Sequence, residues 1–362
     1  MTRPAKVSID LAALRHNYLR VQQLAPGCRV MAVVKADAYG HGLVRVARAL
    51  SGADAFGVAC LEEAEELRAA GIRQTIILLE GPYSSTELQR IDELSLDMII
   101  HHAAQLDMLE QCGVQRPLRV WLKVDSGMHR LGFDSSELAA AWQRLRALPC
   151  VDSDIVLMTH LACANEAGNP MTGRQLAAFN RVSADHDGAR SIANSAAIVS
   201  CVESHADWVR PGLMLYGVSP MQHTVARDHD LKPVMSLLSE LISVKTLRKG
   251  ETVGYGAGWR CPADTTIGIV AAGYGDGFPR HARSGTPTLV NGRRASIIGN
   301  ASMDMLTVDL SAQPGARVGD PVELWGPNLA IEEVALYAGT IPYELLCGVH
   351  KRLAAEEKNG QG

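Results

Sequence analysis

Short apolar runs rich in β-branched residues alternate with stretches of helical period from Ser8 to about Pro233, and eight such runs can be counted. They end near Lys35, Ala59, Leu79, Ile100, Lys123, Met158, Asn194 and Leu215. One intervening segment, Leu61-Glu-Glu-Ala-Glu-Glu-Leu-Arg-Ala-Ala, has a helix's period and is closed by Gly71, as a helix C-terminus often is. Leu11, Leu14, Tyr18, Val21 and Leu24 form the apolar stripe of an opening helix, with Ser8 or Asp10 available as its cap. Eight β-then-α units in about 225 residues match an α/β fold of the (β/α)8 TIM-type barrel class. A doubly wound open sheet satisfies the same periodicity.

After Pro233 the texture changes to short alternating runs between glycine-rich turns: 241–244, 266–272, 287–290, 295–298, 305–310 and 321–324. Asn291-Gly292 predicts a hairpin, because both central residues of a type I′ turn need positive φ. One helix-like stretch, 331–338, interrupts this part, and the tail from Ala354 to Gly362 reads as loose. The expected organisation is a barrel over 1–233 followed by a mostly β domain over 234–362.

A chain of 362 residues with 47% hydrophobic and 20% charged positions is globular rather than disordered or fibrous. Its 35 basic and 39 acidic side chains leave a net charge of -4, which gives no footprint for nucleic acid or an anionic membrane. The eight cysteines lie scattered without a C-x-x-C pair, so neither a zinc ribbon nor a disulfide scaffold is expected, and no metal is. No signal-peptide stretch opens the sequence and no apolar run reaches the ~20 residues of a membrane helix, so a cytoplasmic location is the expectation.

Two places carry chemistry. The run Val30-Met-Ala-Val-Val-Lys35-Ala-Asp-Ala-Tyr39-Gly-His-Gly42 delivers a lysine to the carboxyl end of a strand, the face on which barrel active sites sit. Taken alone, such a lysine is better explained as merely solvated. Ser191-Ile-Ala-Asn194-Ser195-Ala-Ala and Trp208-Val-Arg210-Pro-Gly212 lie at the ends of the seventh and eighth runs, where barrels recurrently bind phosphate. Helix capping by Asn194 and Ser195 is the alternative. A lysine that captures an aldehyde, placed across the mouth from a phosphate cradle, suggests pyridoxal 5'-phosphate held as a Schiff base.

The blocks Val33-Val-Lys35-Ala-Asp-Ala-Tyr39-Gly-His-Gly42, Leu122-Lys123-Val-Asp-Ser-Gly127-Met-His-Arg130-Leu-Gly132, Thr159-His160, Asn194-Ser195-Ala-Ala, Val209-Arg210-Pro-Gly212, Val253-Gly-Tyr255-Gly, Gly273-Tyr274-Gly-Asp-Gly and Ser302-Met303-Asp304 occur in the order seen in bacterial alanine racemases. The chain resembles that family from about residue 3 to 350, its catabolic-type branch in particular. The resemblance implies a homodimer that interconverts L- and D-alanine on pyridoxal phosphate, either for cell-wall peptidoglycan or in breakdown. It implies that Lys35 binds the cofactor covalently and handles the α-proton on one face. Tyr255, from the partner subunit, would act on the other, and racemisation needs such a pair of bases. His160 matches a histidine that contacts this tyrosine, and Arg210 an arginine bonded to the pyridine nitrogen, whose protonation it disfavours. Tyr39, Asn194, Ser195, Gly212 and Tyr343 match phosphate contacts. Arg130 matches a residue near the cofactor's phenolic oxygen and the substrate carboxylate. Lys123 matches a lysine carbamylated in many relatives. Met303 and Tyr274 match positions at the substrate carboxylate and pocket mouth.

Leu161, where an aromatic is common, and Asn300-Ala301, where arginine-valine is frequent, depart from the family's pattern. They leave open an enzyme of broader specificity, acting on serine or larger side chains. A non-catalytic pyridoxal-phosphate carrier is the further alternative, against which Tyr255, Tyr274 and Met303 argue.

Overall fold

The computed structural model describes residues 3–114 and 116–358. Eight parallel strands close into a barrel: β2 (Arg29–Val33), β3 (Ala55–Val58), β4 (Thr75–Leu78), β5 (Asp97–Ile100), β6 (Val120–Lys123), β7 (Val156–Met158), β8 (Arg190–Asn194) and β9 (Trp208–Arg210). The open-sheet alternative is thereby excluded. Met31, Ala55, Ile77, Ile99, Trp121, Val156, Met158 and Trp208 fill the barrel interior. The Arg29 guanidinium stacks on Trp208 at 4.3 Å, and the Asp97 carboxylate accepts the Trp121 indole N–H at 3.0 Å. The barrel is thus a packed core rather than a pore, and only the carboxyl ends of its strands are free to build a site.

Two elements differ from the sequence expectation around the barrel. The strand preceding the opening helix, β1 (Lys6–Asp10), pairs antiparallel with β10 (Met235–Leu247) and so belongs to the second sheet. The eighth barrel strand stops at Arg210, and Leu213–Tyr216 is a single 3-10 turn. There the chain must reverse beneath the mouth, and the Tyr216 hydroxyl donates to the Val33 carbonyl at 2.9 Å. Asp10 rather than Ser8 caps the opening helix Leu11–Leu24, accepting from the N–H groups of Ala12 and Ala13.

The β domain adds β11 (Thr252–Val253), β12 (Trp259–Arg260), β13 (Thr265–Val270), β14 (Pro287–Val290), β15 (Arg293–Ile297), β16 (Leu306–Asp309), β17 (Pro321–Trp325) and β18 (Ala354–Lys358). Its eight-stranded sheet runs β13-β16-β15-β14-β17-β10-β1-β18. Asn291 (φ 51°) and Gly292 (φ 71°) turn β14 into β15 as the spacing predicts. The helix Ile331–Ala338 is present, and a second one, Pro342–Cys347, follows it. The segment expected to be loose is in fact β18, paired parallel with β1 as far as Lys358, because an edge position needs only backbone partners. Residues 359–362 of that segment lie outside the described ones.

Candidate active site

Directly above β2 the backbone does something no periodicity announces. Ala36, Asp37, Ala38 and Tyr39 all take left-handed conformations, with φ between 52° and 56°, and Gly40 follows at 78°. Left-handed backbone costs an L-residue about 1–2 kcal/mol, so four in succession must be held by their surroundings. The turn aims Lys35 and Tyr39 into one cavity of about 740 Å³ at the barrel mouth.

Lys35, Lys123, Arg130 and Arg210 line this cavity together. Among the described residues none of the four makes an ion pair, and the nearby Asp125 is engaged by His129. Burial, then the Arg210, Arg130 and Lys35 charges, hold the Lys123 amine down at about 8. Burial likewise lowers Arg210 to about 10. The Arg210 guanidinium donates to Ser191 Oγ (2.8 Å), the Thr159 carbonyl (2.7 Å) and the Ile192 carbonyl (3.3 Å). It also contacts His160 Nδ1 at 3.3 Å, and because arginine only donates, that nitrogen is the bare one and the ring proton sits on Nε2. Burial and the Arg210 charge keep His160 neutral, far below its ordinary range.

At the other end of the cavity the Gly212 N–H donates to Ser195 Oγ at 2.8 Å, and the Tyr39 hydroxyl lies so close that a Cβ on Gly212 would sit 2.7 Å from it. Tyr39 stacks on Tyr216 at 4.7 Å, with the Tyr343 ring 5.9 Å away. The Tyr39 and Ser195 hydroxyls gather where a side chain cannot fit, the Ser195 Oγ keeps its own proton to donate, and the four unpaired cations suit an anionic ligand such as a phosphate. Asn194 lines the cavity, but both ends of its amide are committed: Oδ1 accepts from Ala197 N–H (3.0 Å) and Nδ2 donates to the Leu161 carbonyl (3.2 Å). Its observed contacts are those of a helix cap.

Tyr255, Tyr274 and Met303 are not brought to this cavity. They stand on the β domain, 73%, 37% and 54% exposed. Tyr274 N–H donates to the Ser302 carbonyl (3.0 Å) and Gly275 N–H to the Met303 carbonyl (2.8 Å), which zips the two loops together. Asn300 Nδ2 ties the Tyr255 carbonyl to the same lip at 3.1 Å. Beneath them the buried Asp276 carboxylate is gripped by Arg3 and Arg352, and Arg352 reaches on to Asp304 at 2.8 Å.

Residues 9–220 match the family described as alanine racemase, N-terminal domain, and residues 234–356 match alanine racemase, C-terminal domain. The chain belongs to the alanine racemase family. An alanine racemase of Nitrosococcus oceani is 54% identical over 95% of this chain and 97% of its own. The crystal structure of the biosynthetic alanine racemase from Pseudomonas aeruginosa superposes with a TM-score of 0.97 at 49% identity, covering 99% of this chain and 100% of that one. The alanine racemase of Bartonella henselae, solved with covalently bound pyridoxal phosphate, gives 0.89 at 30% identity over 99% and 100%.

The structure brings to this alanine racemase cavity the four cations, two of them named from strand ends and Lys123 and Arg130 from the resemblance, but sequence reasoning missed several neighbours. Glu63 accepts the Ala36 N–H at 2.6 Å, and His41 bonds the carbonyls of Ala38 and Tyr39. Both lie inside quoted or helical segments, yet nothing in their spacing marks them; only the left-handed turn gives them a task. Leu79, Glu80 and Ile341 also line the cavity and shape its wall.

Proposed function

We infer that this protein interconverts L- and D-alanine with pyridoxal 5'-phosphate, using Lys35 and Tyr255 as the two bases. The observation that carries the reading is a lysine and an unpaired, buried arginine sharing a cavity with a phosphate cradle. When bound there, pyridoxal phosphate supplies an aldehyde for the substrate amine and a ring that delocalises the electron pair left by the α-proton.

The chain's own residues divide the remaining work. Tyr39, Ser195, Gly212 and Tyr343 hold the phosphate, with Asn194 fixing the helix start beside Ser195. Arg210 offers only donors, so it leaves the ring nitrogen unprotonated and limits how far charge is drawn into the ring. Lys35 Nζ removes or returns the α-proton on one side. Tyr255 of the partner subunit does so on the other, and the His160 Nε2–H is free to donate to its phenolic oxygen. Arg130 takes the substrate carboxylate, with Met303 and Tyr274 of the partner subunit closing the mouth.

The exposure of Tyr255, Tyr274 and Met303 on one lip supports a homodimer in which each barrel mouth is completed by the other copy's β domain. The depressed Lys123 amine supports carbamylation: its neutral form adds carbon dioxide, loses one proton and becomes an anion able to hold Arg130. We place the barrel in 1–233 and the β domain in 234–362, with Lys6–Asp10 lent to the β sheet. No described helix is long and apolar enough to cross a membrane, which is compatible with work in the cytoplasm. Likeness to a racemase described as biosynthetic favours D-alanine supply for peptidoglycan over breakdown.

Borohydride reduction of the coloured holoprotein followed by peptide mapping tests the reading. The label is expected on Lys35; a label elsewhere, or a colourless protein without racemase activity, overturns it.

A further inference from the structure

We propose that Glu63 and His41 are positioning residues that clamp the left-handed turn after Lys35 and thereby hold Lys35 and Tyr39 at their two ends of the cavity. The proposal rests on the racemase reading for what those two side chains do; the clamp itself rests on geometry.

The turn needs restraint at both ends. At its start, Glu63 on the helix Leu61–Ala69 uses both carboxylate oxygens: one accepts the Ala36 N–H at 2.6 Å, the other the Ala59 N–H at 2.8 Å. The residue following Lys35 is thus pinned to the loop above the neighbouring strand β3. At its finish, fully buried His41 shares one ring nitrogen between the carbonyls of Ala38 (3.0 Å) and Tyr39 (2.9 Å). Carbonyls only accept, so Nδ1 carries the proton and Nε2 is bare. That Nε2 is buried with no hydrogen-bond partner among the described residues.

A buried polar atom left unsatisfied is rare and unfavourable, so packing alone would select an apolar ring at this place. What only histidine's Nδ1 provides here is a donor for two carbonyls that the left-handed backbone turns inward. The ring also leans, tilted by 30°, on Tyr216 at 4.5 Å, the tyrosine that in turn stacks on Tyr39. Gly40 completes the clamp, because a Cβ there would collide with the Leu346 carbonyl of the helix bearing Tyr343. Without the two restraints Ala36–Tyr39 would relax toward right-handed backbone and carry the Tyr39 hydroxyl away from Gly212.

Three variants test this on the full chain, with pyridoxal phosphate affinity of the apoprotein read by absorbance and by quenching of protein fluorescence. His41→Phe keeps the ring and removes the donor; His41→Asn keeps a donor near Nδ1 and removes the ring. Glu63→Gln keeps the shape and loses one of two acceptors. His41→Phe is expected to weaken cofactor binding and lower kcat by about 10-fold or more, with the KM for alanine within about 2-fold, as for groups acting behind the binding residues. His41→Asn should recover most of both, and Glu63→Gln should fall between. Wild-type affinity in His41→Phe, or equal damage in His41→Asn, overturns the clamp. Should His41→Phe not fold, histidine nitrogen-15 shifts of the wild type decide: a proton on Nδ1 supports the clamp and one on Nε2 overturns it. A wild type that takes up no pyridoxal phosphate would sink the racemase reading instead.

Discussion

At the barrel mouth Arg210 is 4% exposed, tied to four groups and surrounded by three further cations; on the β domain Tyr255 is 73% exposed and its carbonyl is held by Asn300. In the first region one chain supplies all four cations that line the cavity. The second presents Tyr255, Tyr274 and Met303 to solvent on a lip stiffened from behind by Arg3, Asp276 and Arg352. The difference teaches that rigidity and burial are separate provisions: groups meant for a bound cofactor gain from a low dielectric, whereas a side chain that is to work in another copy's cavity, as we propose for Tyr255, has to be left uncovered in its own chain.

The comparison breaks first at Lys35. Lys35→Ala is expected to lower racemisation by about 10⁴-fold or more, followed by circular dichroism of alanine, and to leave the dialysed protein colourless. Tyr255→Phe should cost about 10²–10⁴-fold in kcat while the cofactor colour stays, since it touches only the other region. Mixing the two inactive proteins sharpens the point. Random re-pairing of equal amounts places one intact site in half of the dimers, so about a quarter of wild-type activity should return. No recovery would mean that both bases come from one chain.

The lip itself can be loosened. Asp276→Asn strips the charge partner from Arg3 and Arg352 and should cost about 3 kcal/mol of stability in thermal unfolding. It should also raise the KM for alanine several-fold, leaving pyridoxal phosphate affinity unchanged. A smaller effect marks the mouth. Lys123 binds its proton up to about 8 when folded against 10.5 for a free lysine, so between those values the unfolded chain carries the extra proton and stability rises with pH. Denaturation of apoprotein in carbon-dioxide-free buffer should show this rise, of order 2 kcal/mol, and Lys123→Met should abolish it.

The eight-strand rhythm, the Asn291-Gly292 hairpin and the strand-end positions of Lys35 and Arg210 were legible because each depends on local spacing or side-chain type, whereas Lys123 and Arg130 came from family likeness. The partner of Lys6–Asp10 was not: alternation reports that a strand has an inner face, never which sheet it joins. Nor was the turn at Ala36–Tyr39, since alanine and tyrosine give no sign of left-handed backbone and the cause lies in Glu63, His41 and Leu346. Tyr255 was found only through family likeness, because one exposed tyrosine in a glycine-rich turn looks like any other.

The position of β1 between β10 and β18 has a consequence for biosynthesis. Residues 6–10 leave the ribosome well before their neighbours at 235–238 and 354–358. At about 5–20 residues per second β1 waits tens of seconds for its last companion. Until then an unpaired strand edge stays open to chaperones or to other nascent chains.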